Sequence, residues 1–168
     1  MNFYMYKNSS SESSLISIKP KKRKMEEKTV VLLSDFFSSP DGLSAKGEIE
    51  KKVFKERMKL KYSNINFDIL CFNNYKCVYT AQAVSDLGKK SSYQVLTERF
   101  NPELAIEKIK NYEGNLVLVA PYLFIIEILN LLKYCKDEVY LGTREGVIIL
   151  PSGEFQLVKD LKIPILQN

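Results

Sequence analysis

The sequence predicts an α/β protein with a Rossmann-like, mostly parallel sheet that is flanked by helices and ends in a small antiparallel β-meander. Continuous apolar runs of five or six residues are typical of strands buried on both faces. Stretches of helical length separate these runs, as parallel strands with crossover helices require. Toward the end of the chain the runs are separated by short glycine-containing turns, which indicates antiparallel hairpins.

The chain divides into a basic tail over residues 1–28, predicted to be disordered, and a single α/β domain over residues 29–168. The tail joins a serine cluster to Lys19-Pro20-Lys21-Lys22-Arg23-Lys24 and has too little apolar surface to offset the entropy of ordering. Its basic cluster has the composition of a nuclear-import signal and could also contact phosphates, or act only as a solubilising tail. Met1 and Met25 are both possible natural starts.

The first half of the domain reads as strand, helix and strand. Thr29–Ser34 is a β-branched apolar run, and Ser38–Gly42 has the composition of a turn. A helix is predicted over 45–62 and a second strand over 67–72. The residues expected to form the inward stripe of this helix, or to lie beside it, are Ile49, Val53, Phe54, Met58 and Leu60.

The second half begins with less regular sequence. Asn101, Pro102 and Glu103 are suited to the N-cap and first turn of a helix that ends at Gly114. The predicted elements are a strand at 77–80, helices at 93–100 and from 102 to about 112, a strand at 116–120, a helix from 121 to about 134, and strands at 138–141, 147–150 and 155–158.

The sequence contains no histidine. Ser-His-Asp and Cys-His nucleophile activation, HExxH-type zinc sites and His-ligated iron are therefore excluded. The seven glycines form neither a P-loop nor a dinucleotide fingerprint. The remaining mechanisms are carboxylate–Mg²⁺ chemistry, lysine or tyrosine chemistry, or no catalysis.

The positive charge is concentrated in two segments. Residues 1–28 hold seven Lys/Arg and three Glu, and residues 45–62 again hold seven basic and three acidic side chains. Counterion release makes such a surface suited to a phosphate backbone, although a charged helix face is more commonly only solvated. The main interpretation is a non-enzymatic, nucleic-acid-associated (DNA-binding) accessory or regulatory protein. The residues predicted to bind are Lys51, Lys52, Lys55, Arg57, Lys59, Lys21, Lys22, Arg23 and Lys24.

The first alternative is a small divalent-metal-dependent enzyme acting on a nucleotide or nucleic acid. Ligands of parallel sheets bind beyond the carboxyl ends of the strands, and Asp35 directly follows the first strand. Asp35 would be the catalytic group and would hold Mg²⁺ together with Asp41, with Glu145 as a possible third ligand. The competing interpretation is that both aspartates cap a turn and a helix, in which case no cofactor is needed.

The second alternative is an oligomeric interaction or ligand-sensing domain, with a protein partner or a second copy of the chain in place of nucleic acid. Arg144, at a predicted hairpin tip, could clamp a phosphate. Cys71 and Cys135 lie among apolar residues and are expected to be buried thiols. With no membrane span or secretory leader in the pattern, we expect an intracellular, cytoplasmic protein that would be nuclear only in a nucleated host.

Overall fold

The computed structural model describes residues 28–88, 91–99, 101–132, 146–150 and 155–158. Its main feature is a six-stranded sheet with the strand order β5 (Gln94–Leu96), β4 (Asp68–Phe72), β6 (Leu116–Ala120), β1 (Val30–Ser34), β7 (Val147–Ile149) and β8 (Phe155–Leu157). The first four of these strands are parallel to one another, β7 is antiparallel to β1, and β8 is antiparallel to β7. The predicted fold class is confirmed, including the antiparallel end.

Strands and helices alternate along the middle of the chain, and consecutive strands lie at its two ends. The strands are β1 (Val30–Ser34), β2 (Ser38–Ser39), β3 (Gly42–Leu43), β4 (Asp68–Phe72), β5 (Gln94–Leu96), β6 (Leu116–Ala120), β7 (Val147–Ile149) and β8 (Phe155–Leu157). The helices are α1 (Ala45–Tyr62), α2 (Tyr75–Ala83), α3 (Pro102–Asn111) and α4 (Tyr122–Leu132), with a 3-10 turn at Ser85–Leu87.

Each face of the sheet is covered by its own pair of helices. In β1, every residue is buried, and successive side chains alternate between the two faces. Val31 and Leu33 pack with residues of α1 and α2, whereas Val30 and Leu32 pack with residues of α3 and α4. The sequence of β1 is therefore apolar throughout because neither of its faces meets water.

Three helices begin with the same capping arrangement. The side chains of Ser44, Asn74 and Asn101 accept hydrogen bonds from backbone N–H groups in the first turns of α1, α2 and α3. These bonds satisfy donors that have no partner inside a helix. Because α2, α3 and α4 each follow a parallel strand, their positive N-terminal ends lie at the carboxyl edge of the sheet.

Two predicted elements are wrong. Residues 77–80 belong to helix α2 and not to a strand, because Asn74 caps the helix and Cys77, Thr80 and Ala81 form its buried face. Residues 93–100 do not form the predicted helix, since Gln94–Leu96 pairs in parallel with Leu70–Phe72 as the edge strand β5. In both segments tertiary contacts override the local preference of the sequence.

The predicted inward stripe of α1 is only partly correct. Phe54 and Met58 are buried, but Ile49 is 66% exposed and Leu60 is 44% exposed. The buried face instead includes Gly47, two residues before Ile49, the position expected to lead the stripe. The helix therefore contacts the sheet along a narrow line, and two large apolar side chains face away from it.

Several predictions fall outside the described residues. They concern the tail over 1–27, the strand at 138–141, Arg144, Glu145 and Cys135. The division into tail and domain therefore stays a prediction. Within the described ranges, no helix combines the length and apolar character needed to cross a membrane.

Candidate functional site at the carboxyl edge of the sheet

The centre of the sheet contains a change in the direction of the chain. From β1 the chain passes over β6 to reach β4, whereas from β6 it continues to β7 on the other side of β1. The carboxyl ends of β1 and β6 therefore form a switch point of strand order, which is where open α/β sheets bind ligands. We call this region the strand-end site and define it by residues 34–40, the first turns of α1 and α2, and residues 120–122.

Asp35 lies at the centre of the strand-end site, directly after β1. It is only 6% exposed, and its Oδ1 accepts a hydrogen bond from the Ser34 hydroxyl at 3.4 Å. Burial raises the pKa of the Cys77 thiol to about 12; the Asn74 side chain partly offsets this, and the negative charge of Asp35 adds to it. The site therefore contains a buried carboxylate beside a thiol that stays protonated at neutral pH.

Side chains from two helices hold the main chain after Asp35. The N–H of Phe36 donates to Thr80 Oγ1 of α2 at 2.8 Å, and the Thr80 hydroxyl donates to the carbonyl of Lys76 at 2.9 Å. The N–H of Phe37 donates to Glu50 Oε1 of α1 at 2.9 Å. Two successive amides that point from the end of β1 are therefore bonded to side chains of the protein itself.

The hairpin formed by β2 and β3 is attached to the same helices. The carbonyl of Phe37 accepts hydrogen bonds from Ser44 N at 2.9 Å and from Ser44 Oγ at 3.1 Å. The Tyr79 hydroxyl of α2 donates to the carbonyl of Pro40 at 2.6 Å. The Phe36 ring is 2% exposed and packs edge-on against Phe54. These contacts fix residues 36–44 over the strand ends.

Two lysines and two tyrosines surround this loop. The Lys46 ammonium lies 4.1 Å from the centre of the Phe37 ring. Lys76 is the second residue of α2, and its ammonium lies 6.0 Å from the centre of the Tyr75 ring. The Tyr75 and Tyr79 rings are in edge contact at 6.0 Å. The rim of the strand-end site thus offers positive charge and the hydroxyl of Tyr75, whereas its interior holds a carboxylate.

The two aspartates predicted to hold a metal ion differ in their exposure to solvent. Asp35 is buried, but Asp41 is exposed in the turn between β2 and β3. In the part of the chain that the structure describes, no group of three or more His, Cys, Asp or Glu side chains could hold a metal ion. Mg²⁺ binding by Asp35 and Asp41 stays a prediction.

The predicted basic surface lies on α1, away from the loop after β1. Lys51 pairs with Glu48 at 2.6 Å, and Lys55 and Lys59 approach Asp86 of the 3-10 turn at 2.8 and 3.8 Å. Lys52 is exposed, and the half-buried Arg57 has an Nε atom without a hydrogen-bond partner. Much of the charge on this surface is therefore balanced by neighbouring carboxylates. Lys21, Lys22, Arg23 and Lys24 lie outside the described residues.

No protein-family model matches this sequence, and no curated protein does so either. Solved structures share its fold. The protein histidine phosphatase SixA in complex with tungstate has a TM-score of 0.60 at 14% identity, over 80% of this chain and 99% of that one. Phosphoglycerate mutase from Plasmodium falciparum has a TM-score of 0.54 at 10% identity, over 84% and 96%.

A third structure of this fold is a histidine-to-alanine variant of phosphoserine phosphatase from Entamoeba histolytica in complex with phosphoserine. It has a TM-score of 0.53 at 12% identity, over 83% of this chain and 100% of that one. The described sheet, its flanking helices and the antiparallel pair thus form the fold of these phosphatases and of the mutase.

These likenesses correct the functional prediction. The interpretation as a nucleic-acid-associated, DNA-binding accessory or regulatory protein is wrong, because these solved structures of the same fold are phosphatases and a mutase. These likenesses do not test the alternatives of a metal-dependent enzyme and of an interaction or ligand-sensing domain. A lysine-rich helix was misleading because charge composition does not show which carboxylates lie opposite each lysine.

Sequence reasoning located Asp35 but missed the residues that fix the loop around it. Thr80 was assigned to a strand, and Glu50 was counted only as part of the charge of α1. One signal was present for α1. Ser44 is a residue type suited to a helix N-cap, and a glycine three residues later allows another chain segment to approach the first turn closely. For Thr80, no local signal indicated a long-range hydrogen bond.

Proposed function

We propose that this protein binds phosphomonoesters at the rim of the strand-end site and does not hydrolyse them. One observation carries the proposal: a fold shared with phosphatases belongs here to a chain of 168 residues without a single histidine. The phosphoserine complex of the histidine-to-alanine variant is consistent with a fold of this kind holding a phosphoester without that imidazole.

The absence of hydrolysis follows from the nucleophiles at the site. Imidazole is not available, and the Cys77 thiol, with its pKa raised to about 12 by burial, carries almost no thiolate at neutral pH. The Ser34 hydroxyl is fully buried. The Asp35 carboxylate would repel a phosphate dianion that approached it. None of these three residues, Cys77, Ser34 and Asp35, provides an accessible, activated nucleophile.

The rim offers better chemistry for binding than the interior does. Lys46 and Lys76 carry positive charge beside the loop that follows β1, and Lys76 lies in the first turn of a helix, where the dipole also favours an anion. The exposed Tyr75 could donate a hydrogen bond to a phosphate oxygen or contact an organic group. We therefore place the phosphate near Lys46 and Lys76, outside the crevice.

The test combines binding and turnover with the full chain. Phosphoserine and tungstate are titrated by isothermal calorimetry, and hydrolysis of p-nitrophenyl phosphate and phosphoserine is measured with and without Mg²⁺. We expect both ligands to bind, Lys76→Ala to weaken binding by about five- to tenfold, and no phosphate to be released above the uncatalysed rate. Lys52→Ala removes an exposed lysine on a different surface and should leave the affinity within about twofold.

Two results would overturn the proposal. If neither ligand binds at millimolar concentration, the rim is not a phosphate site. If Mg²⁺ supports hydrolysis that Asp35→Asn abolishes while the melting temperature is unchanged, the protein is a metal-dependent phosphatase with Asp35 as its working group.

A further inference from the structure

Phe37 is the most constrained residue of the loop that follows β1. Its N–H donates to Glu50 Oε1, and its carbonyl accepts from Ser44 N and Ser44 Oγ. The Lys46 ammonium lies 4.1 Å from its ring centre. The N-cap and the first two turns of α1 therefore contact this one residue through a carboxylate, a hydroxyl, an amide and an ammonium group.

The bond from Phe37 N to Glu50 has the chemistry of an anion site. A main-chain amide at the end of a parallel strand is donating to a carboxylate oxygen, as it would to an oxygen of phosphate. The preceding amide, Phe36 N, is bonded to the neutral hydroxyl of Thr80. The negative group at the Phe37 amide is thus supplied by α1 of the same chain.

We infer that the Glu50 carboxylate occupies an oxyanion position at the Phe37 amide and acts as an internal competitor of small tetrahedral oxyanions. An external oxyanion at this amide would have to displace Glu50. It would also be repelled by the carboxylate of Asp35, which lies two residues earlier in the chain. With Glu50 in place, anions bind only at the outer rim. The Phe37 amide lies at the same edge of the sheet as the proposed phosphate site, but it is a different position from Lys46 and Lys76.

The experiment uses the ¹⁵N-labelled full chain and tungstate as the probe. Glu50→Ala should let tungstate shift the Phe37 amide resonance and should tighten tungstate binding by about tenfold or more, because an anionic competitor is removed. Glu50→Gln keeps a neutral acceptor and should give a smaller gain. Glu48→Ala is the matched control: it removes another carboxylate of α1, whose partner is the ammonium of Lys51, and should change the affinity by less than about twofold.

The outcomes distinguish the role of Glu50 at the Phe37 amide from phosphomonoester binding at the rim. If Glu50→Ala and Glu50→Gln bind tungstate no better than the parent, or if the Phe37 amide does not respond, the inference is overturned even when the parent binds phosphoserine. If only the Glu50 variants bind, with the response at Phe37, the inference stands and the proposed function of the parent falls. If Glu50→Ala does not fold, the neutral Glu50→Gln variant alone decides the question.

Discussion

The most direct test of the loop architecture is Gly47→Ala. Gly47 lies in the first turn of α1, where alanine would ordinarily stabilise a helix by up to about 1 kcal/mol relative to glycine. Here a Cβ atom would lie 2.1 Å from the carbonyl oxygen of Phe37 and 3.1 Å from its carbonyl carbon. We therefore expect the sign of the usual effect to reverse.

The magnitude can be built from the contacts that must move. Displacing Phe37 strains a packed segment, which costs about 1–3 kcal/mol in typical cores. It also weakens the bonds of Phe37 to Ser44 and Glu50, each with a net value of about 1 kcal/mol. After subtracting the gain in helix propensity, we expect a loss of at least about 2 kcal/mol, or about 6 °C in melting temperature for a chain of this length.

Urea denaturation and thermal melting, both followed by circular dichroism, measure this loss. Lys52→Ala, an exposed substitution in the same helix, should stay within about 0.5 kcal/mol of the parent. A Gly47→Ala protein as stable as the parent, or more stable, would show that α1 does not approach Phe37 closely.

Three further predictions concern buried groups. Thr80→Val keeps the shape of a fully buried side chain but leaves the Phe36 N–H without its acceptor, so urea denaturation should show a loss of about 1–3 kcal/mol, and Thr80→Ser should lose less. Burial raises the pKa of Cys71 to about 11 and that of Cys77 to about 12. Because these folded values exceed the unfolded ones, their contribution to stability is complete below pH 9 and is lost as the pH rises toward 12, which melting temperatures between pH 8 and 11 would reveal. Burial lowers the pKa of Lys28 to about 8, so the unfolded chain binds more protons from pH 8 to about 10.5 and stability should rise across pH 8–9; Lys28→Met should abolish that rise.

The parts of the fold that sequence predicted well share one property. Residues 30–34 and 116–120 are buried on both faces, so their apolar character is continuous and needs no knowledge of their neighbours. The start of α3 was also predictable, because Asn101 and Pro102 determine it locally.

The errors come from residues whose state depends on distant partners. Val95 and Leu96 are strand residues only because β4 lies beside them, and Cys77 and Thr80 are helical because their side chains complete a core against α1 and β1. The amphipathic pattern of α1 misled for a related reason: Gly47, which has no side chain, is buried, while Ile49 is not.

In the candidate site, too, some features follow from local sequence and others depend on distant partners. The position of Asp35 at a strand end could be deduced because strand ends are visible in the sequence. The bond from Phe37 to Glu50 could not, since it joins a loop amide to a side chain thirteen residues later and depends on how α1 lies against β1. The hydrogen bonds of the site therefore depend on how the helices pack, which the sequence alone does not show.

Electrostatics connects these observations to function. A phosphate dianion is stabilised by cations and free N–H donors, and the interior of the strand-end site holds the carboxylate of Asp35 together with amides already bonded to Thr80 and Glu50. An anion in that crevice would have to break these bonds and accept two nearby negative charges. At the rim it meets Lys46 and Lys76 and breaks neither bond. In the proposed function, the phosphate group therefore lies at the rim of the strand-end site and not in its interior.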